Sequence, residues 1–335
     1  MAVGIPGMLL ALLTWQIKEP PRGLSEGLSS SESKNPLKET FKELVGLTPF
    51  GLLGSDNFKK ELSINIIFTI LIFLASYYLY VLTGDFLQWT AFGIGVYVIC
   101  NWIHGLKNRD PVAFLLIFKS KALLLGLLSF PFITFVTYAL GAFGPSFYIR
   151  NFSMTATEVG IIYGLITVFG SMIGVICGGI LGDKLRETYV NGKLYLIMAS
   201  AVLTGVTAIG FIHSENLVAS FTWKFVYHIA STAWLGCAAS TVTELVLPRL
   251  RAVASAFFIL MLSMIGLALG PYLTGMVSDI YINSGLLSGP ALKNAMTLTL
   301  VVLVLPFGLL AVACKYLKND EAEIYEKARS LGEEI

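Results

Sequence analysis

Long apolar runs that end in short charged turns most constrain what this chain can fold into. The sharpest turn covers residues 183–186, between an apolar run that begins near Glu158 and another that begins near Leu194. A helix needs about 20 apolar residues to cross a bilayer core. The chain is 56% hydrophobic and 13% charged, whereas soluble domains carry about 25% charged residues. The sequence therefore predicts an all-α integral membrane protein.

Eight apolar runs have the length of a membrane span. They cover residues 63–82, 86–104, 122–147, 158–182, 194–212, 221–245, 252–278 and 292–316. A ninth apolar segment, residues 1–17, is short for a span and is followed by basic and proline residues, as at the end of a helix. Residues 36–45 favour a short surface helix, and residues 112–118 are apolar but too short to cross.

The basic residues indicate how the chain is oriented. If Met1 lies outside and the spans alternate, the cytoplasmic side carries 20 of the 23 Lys and Arg residues. The opposite side then carries only Arg150, Lys224 and Lys293. Because cytoplasmic loops of membrane proteins are enriched in Lys and Arg, this distribution predicts a cytoplasmic C-terminus.

The polar residue types do not favour catalysis. The four cysteines all lie inside apolar runs, without the spacing of a disulfide framework or a zinc site. The three histidines lie on different elements, and no HExxH, GxSxG or paired-aspartate pattern occurs. We therefore predict a protein that is not an enzyme, with no metal, no cofactor and no nucleic-acid partner.

The charged turn also carries a recognisable motif. Gly179-x-Leu181-x-Asp183-Lys184-x-Arg186 resembles the cytoplasmic loop signature of the major facilitator superfamily, which occurs between its second and third and its eighth and ninth helices. The family's usual glycine after the Asp-Arg pair is absent, and the motif is more similar to that of the spinster-like branch. Four further segments resemble the sixth, seventh, tenth and eleventh helices of that branch in order: residues 4–23, 138–150, 234–252 and 265–272.

The resemblance implies a fold and a domain layout. The fold would be an all-α major-facilitator-type C-terminal bundle of six helices, preceded by a partial helix and an extra two-helix hairpin. The layout would be a partial last helix of the N-terminal half (1–17), a cytoplasmic linker (18–62), an extra transmembrane hairpin (63–105), a cytoplasmic loop (106–121), the six-helix bundle (122–317) and a cytoplasmic tail (318–335). The first five helices of the family have no counterpart in this chain.

The resemblance also implies a function. Family members are transporters that work by alternating access, with substrate bound near the midplane between two helix bundles. The expected partners are the lipid bilayer, a small-molecule or lipid-like substrate and an N-terminal transporter half, and the expected location is a bacterial inner membrane. Secondary active export of sphingolipid-like or lysophospholipid-like molecules is the activity implied. A half-transporter that depends on a partner, or a membrane scaffold without transport, remains the alternative.

Two groups of residues are candidates for gating. The cytoplasmic gate and motif group comprises Gly179, Asp183, Lys184, Arg186, Glu244, Arg249 and Arg251. Glu244 is an acid at the end of an apolar run, which is costly unless paired; it is either a latch or part of an ordinary charge cluster. The second group, Gly266, Gly270 and Pro271, lies on one span, where it serves either bending or plain close packing.

A third group is a candidate for the wall of a substrate cavity. It comprises Tyr138, Phe143, Phe147, His228, Thr232, Trp234 and Ser240. Polar groups at three- and four-residue steps along one apolar helix should face protein or water rather than lipid. The alternatives are that the hydroxyls bond their own helix and that the aromatic rings anchor the membrane interface.

Overall fold

The computed structural model describes residues 4–17 and 58–330, and within these ranges every regular element is a helix. The predicted all-α fold class is confirmed. Most of the predicted linker, including the predicted surface helix at 36–45, lies outside the described residues. The last five residues of the predicted tail also lie outside them.

The helices follow the predicted spans closely, and most of them extend beyond the predicted bounds. Their bounds are α1 Gly4–Trp15, α2 Phe58–Thr83, α3 Phe86–Arg109, α4 Pro111–Lys119, α5 Lys121–Phe152, α6 Ala156–Thr188, α7 Gly192–His213, α8 Leu217–Glu244, α9 Arg251–Met261, α10 Ala268–Asn283, α11 Ser288–Thr299, α12 Val304–Ala313, α13 Leu317–Ala322 and α14 Ile324–Ser330. A π-helical segment, Leu262–Leu267, joins α9 to α10, and a 3₁₀ segment, Leu300–Leu303, joins α11 to α12.

Seven of the helical stretches in the described part of the chain are long and apolar enough to cross a membrane. Helix α8 is not among them, although its 28 residues would reach about 42 Å at 1.5 Å per residue. It packs along α6 from Gly170, which meets His228, to Gly182, which meets Cys237. Because α6 is one of the seven, we infer that α8 crosses beside it and completes six spans after α4.

Glycines on α6 determine how closely α8 approaches. Gly170, Gly174, Gly178 and Gly182 follow at four-residue steps and leave no room for a Cβ atom, because α8 backbone or side-chain atoms occupy that space. At Gly174 and Gly178 the obstructing atoms include the carbonyls of Ile229 and Ala233. Small residues that allow helix backbones to touch are a common way to pack helices in lipid.

The hairpin of α2 and α3 is held together by side-chain amides and an acid. The turn between the helices includes Gly84, whose φ of 81° suits glycine. Asn65 donates to Asn101 over 2.8 Å, and Tyr97 donates to Asn65 over 3.0 Å. Glu61 accepts from Asn108 over 2.8 Å and pairs with His104. Polar pairing of this kind is expected wherever helices meet away from water.

The hairpin lies against the stretch formed by α9, the π segment and α10. The Trp102 ring stacks on Phe257, with ring centres 5.3 Å apart. The Trp89 ring meets Tyr272 edge to face at 5.4 Å, and the Tyr272 hydroxyl donates to Asp85 over 2.6 Å. The extra hairpin is therefore packed on the six-helix bundle rather than standing apart from it.

Candidate cytoplasmic gate and substrate face

The loop between α6 and α7 brings three charged groups together at one end of the bundle. Lys193, with a side chain only 9% exposed, forms an ion pair with Glu244 at the end of α8. Its Nζ atom also lies 3.9 Å from an Asp183 oxygen. A largely buried ammonium is stabilised where two carboxylates face it. These residues form an ionic cluster at this end.

The other predicted gate residues divide into separate contacts. Arg249 donates to Asp110 over 2.7 Å, and Arg251 donates to the Thr243 carbonyl over 3.1 Å. Glu244 thus pairs with Lys193, although Arg249 and Arg251, which were predicted to form a group with Glu244, are nearer in sequence. The gate candidates form several contacts instead of a single cluster.

Asp110 has a further role at the start of α4. It caps this helix by accepting a hydrogen bond from the Ala113 amide over 2.8 Å. Burial alone would raise the pKa of Asp110, but the hydrogen bonds from Arg249 and from the Ala113 amide outweigh it and hold the pKa below its usual range. Asp110 is therefore an anionic link between the loop after α3 and the loop after α8.

The rest of the motif faces the C-terminal segment or open space. Arg186 bonds to Glu321 of α13 and to the Val190 carbonyl. Lys184 is exposed, and a Cβ added at Gly179 would meet nothing within 4 Å. Asp320, also on α13, accepts from the Ser120 hydroxyl and the Ala122 amide at the start of α5. The Arg186–Glu321 contact thus joins the motif to α13, and Asp320 joins α13 to the start of α5.

The polar stripe of α8 is largely satisfied by its own helix. Thr232 bonds to the His228 carbonyl over 2.7 Å, and Ser240 bonds to the Cys237 carbonyl over 3.1 Å. His228 differs, because its Nε2 atom lies 3.0 Å from the Thr167 hydroxyl on α6. The stripe therefore contacts α6 at His228 and also at Thr232, which reaches the Ser171 carbonyl at 3.2 Å.

The aromatic candidates occupy three different environments. Trp234 and Phe147 are buried, and the Trp234 ring stacks on Phe130 of α5 with centres 6.0 Å apart. Phe143 is half-buried and faces Gly275 of α10. Tyr138 is 42% exposed. Of these four rings, Tyr138 is the one available to a molecule outside the bundle.

Glycines Gly266 and Gly270 bring the π segment and α10 against α5. A Cβ added at Gly266 would overlap the Thr134 side chain, and one at Gly270 would overlap the Phe135 carbonyl. Pro271 follows directly inside α10 and has no amide hydrogen to donate. Single-turn π segments and prolines both interrupt regular helix bonding, so the sequence signal at 266–271 coincides with an irregular stretch.

Lys224 was missed as a site residue because its charge placed it on the outer side of the membrane. The structure puts it inside α8, where it is fully buried. Within the described residues its Nζ atom has no hydrogen-bond partner. The signal in the sequence was a single lysine within a long helical stretch, four residues before His228.

Comparisons with known proteins identify the relatives of this chain. No family model matches it. It is 30% identical over 201 residues to an MFS-type efflux pump of Mycolicibacterium smegmatis, covering 59% of this chain and 45% of the pump. It is 26% identical over 173 residues to protein spinster of Drosophila melanogaster, covering 48% of this chain and 28% of that protein. The chain spans less than half the length of these relatives.

A solved structure is also similar. It is a bacterial homologue of the human lysosomal transporter spinster in an inward-facing and occupied conformation, with a TM-score of 0.49 and 21% identity. The match covers 72% of this chain and 58% of that one. The curated relatives confirm the predicted resemblance: this chain is a multi-pass membrane protein related in sequence to an MFS-type efflux pump and to spinster proteins.

Proposed function

We propose that this chain forms the C-terminal half of a major facilitator transporter that works by alternating access. The observation that carries the proposal is its 30% identity over 201 residues to an MFS-type efflux pump. A bundle of six spans after α4 is the size of one half in that family. Such halves rock about a substrate site near the membrane midplane.

The proposed substrate class is supported by the sequence resemblance to spinster-like transporters and by the exposed surface. We infer secondary active export of an amphipathic or lipid-like molecule across a bacterial inner membrane. Tyr138 on α5 is exposed, and Cβ atoms added at Gly141 on α5 or Gly236 on α8 would meet nothing within 4 Å. Each of these positions leaves open space beside its helix for a ligand or for a second half.

The ionic contacts at the cytoplasmic end are proposed to stabilise one state of the cycle. Lys193 joins α7 to Glu244 of α8, so separating these helix ends would break an ion pair whose lysine is largely buried. Breaking such a pair is costly because it leaves an unpaired charge. Asp183, 77% exposed, remains available to a helix of the other half.

Completion by a second half is part of the proposal. The remaining helices are expected on the same polypeptide or on a separate partner, and the domain layout predicted from sequence is retained. The alternative is a half-transporter that depends on a partner chain, or a membrane scaffold without transport. Neither version includes catalysis.

The size of the native product separates these versions. A tag placed after Ile335 in the chromosomal gene would allow the membrane fraction to be blotted. A band larger than 36.4 kDa by about five helices and their loops, at about 20 residues each, supports one polypeptide. A band at 36.4 kDa, together with a co-purifying multi-span protein, supports a partner-dependent transporter. A band at this mass with no such partner contradicts the proposal.

A further inference from the structure

Lys224 lies inside a cage of aromatic rings near the start of α8. Its Nζ atom is 4.2 Å from the ring centre of Phe211 on α7, 4.4 Å from that of Tyr227 and 5.0 Å from that of Tyr163 on α6. The residue is 0% exposed within this chain alone. Neither lipid nor a second transporter half is needed for this burial.

The cage offers no acceptor to the amine. Lys224 Nζ makes no hydrogen bond in the part of the chain that the structure describes. The titratable groups that face the cage are Tyr148 from α5, Tyr163 from α6, and Tyr227 and His228 from α8 itself, while α7 presents the Phe211 ring. None of these groups is a carboxylate.

Apart from the Tyr227 hydroxyl, the neighbouring polar groups already contact other partners. The Tyr148 hydroxyl lies 3.1 Å from the Ser220 hydroxyl, which in turn donates to the Phe211 carbonyl over 2.8 Å. His228 is held by Thr167. The Tyr227 hydroxyl lies near those of Thr137 and Ser231 without reaching hydrogen-bond geometry. The described groups around Lys224 therefore include no anionic partner for its amine.

The charge of this lysine is unusually sensitive to packing. An ammonium group removed from water without a counter-ion is strongly disfavoured, and buried ionisable groups avoid this cost by becoming neutral. Cation–π contacts with three rings offset part of the cost. When water reaches the outer ends of α6, α7 and α8, solvation of the ammonium group returns and the charged form is favoured again.

We propose that Lys224 is a proton-binding site, whose amine releases its proton when the outer ends of α6, α7 and α8 pack together and binds one when they separate. The reaction is reversible transfer of one proton between the Lys224 amine and water, with no other bond changed. The Tyr148–Ser220–Phe211 chain of hydrogen bonds is the contact that must open to admit water. The use of this proton in transport rests on the function proposed above.

The charge of the amine can be measured directly. Nitrogen NMR on the full chain in lipid nanodiscs, with lysine side chains labelled, distinguishes neutral from charged amines, and the Lys224 signal is the one lost in Lys224→Gln. We expect this signal to change from charged to neutral between about pH 5 and pH 9, a range reached by documented buried lysines. Lys293, half-buried midway along α11, is recorded in the same spectra as the comparison. A Lys224 signal that remains in one form throughout this range overturns the proposal.

The link to opening has a separate test. Hydrogen exchange of residues 217–228, expressed relative to the rate of an unfolded peptide at the same pH, reports how often the outer end opens. We expect protection to fall several-fold between about pH 9 and pH 6 in the parent chain and in Lys293→Met. In Lys224→Met and Lys224→Gln this loss should disappear. Equal loss of protection in the parent and in both Lys224 variants contradicts the coupling. Because neither measurement involves transport, failure of the proposed function would leave both results interpretable.

Discussion

The side-chain amide of Gln88 donates a hydrogen bond to the backbone carbonyl of Ala268, 3.1 Å away. This contact ties the extra hairpin to the first residue of α10, directly after the π segment and three residues before Pro271. On the neighbouring surface, Gly95 of α3 meets the Met264 side chain of the π segment. The extra hairpin therefore supports the most irregular part of the bundle.

Replacing Gln88 should loosen this support. Gln88→Leu keeps a similar volume and removes the donor, at an expected cost of about 1 kcal/mol. Hydrogen exchange across residues 262–272 should become faster, because a bond to the backbone at this stretch is lost. The matched control is Leu87→Ala, since Leu87 is 81% exposed. Unchanged exchange in Gln88→Leu would show that the hairpin does not stabilise the π segment.

Two adjacent glycines on α6 give a sharp test of the α6–α8 packing. At Gly178 an added Cβ would overlap the Ala233 carbonyl, whereas at Gly179 it would meet nothing. Gly178→Ala should destabilise the bundle by about 1–3 kcal/mol, because backbone cannot move aside easily. Gly179→Ala should be neutral or slightly stabilising, because alanine favours helices.

Thermal unfolding in detergent micelles compares the two glycine variants under identical conditions. A lower midpoint for Gly178→Ala alone is expected. Equal midpoints for both variants would mean that α6 and α8 are not in backbone contact at Ala233.

The Lys193–Glu244 ion pair should be measurable as a coupling. Glu244→Gln leaves Lys193 with Asp183 at 3.9 Å, so we expect a loss of about 1 kcal/mol, since Glu244 is partly exposed. A double-mutant cycle with Lys193→Met should give a coupling energy of about 0.5–1 kcal/mol that weakens in high salt. Strictly additive effects would remove this pair as a gate contact. Membrane insertion should be unchanged in each variant.

The Asp110–Arg249 contact should depend on acid pH. The pKa of Asp110 is held below its ordinary value of 3.8, so the folded state binds fewer protons than the unfolded state in this range. The contribution to the free energy of unfolding is therefore full above pH 3.8 and is lost as the pH falls through the lower folded value. Asp110→Asn should abolish this part of the pH dependence. The midpoint of thermal unfolding, compared between variant and parent at several acid pH values, measures it.

The fold could be predicted from the sequence because it depends mainly on local patterns, namely apolar runs and regularly spaced glycines. Apolar runs of span length and the glycines at 170, 174 and 178 are visible in the printed chain, and each corresponds to a helix or a close helix contact. The partner of Glu244 was harder to predict from the sequence. Lys193 lies 51 residues away on another helix, while Arg249 and Arg251 are near in sequence.

The contacts of Lys224 and Gln88 could not be predicted from the sequence, because the sequence does not show which way a side chain points. Lys224 was counted with the outer-side charges because nothing in its neighbours specifies which way it points. Only the packing of α6, α7 and α8 shows that its amine is enclosed. Likewise, the docking of Gln88 on Ala268 depends on a tertiary contact between residues 180 positions apart.

Transport by the native product tests the central claim most directly. The protein would be purified from its own membrane through a tag after Ile335, together with any partner, and reconstituted into lipid vesicles. Release of a fluorescent lysophospholipid analogue would be followed under an imposed proton gradient, with a hydrophilic dye as the control for leakage. We predict saturable movement of the lipid-like probe that is slower in Glu244→Gln, with no movement of the dye. Folded, reconstituted protein that moves neither this probe nor any other amphipathic molecule of a broad panel above empty vesicles would contradict the account.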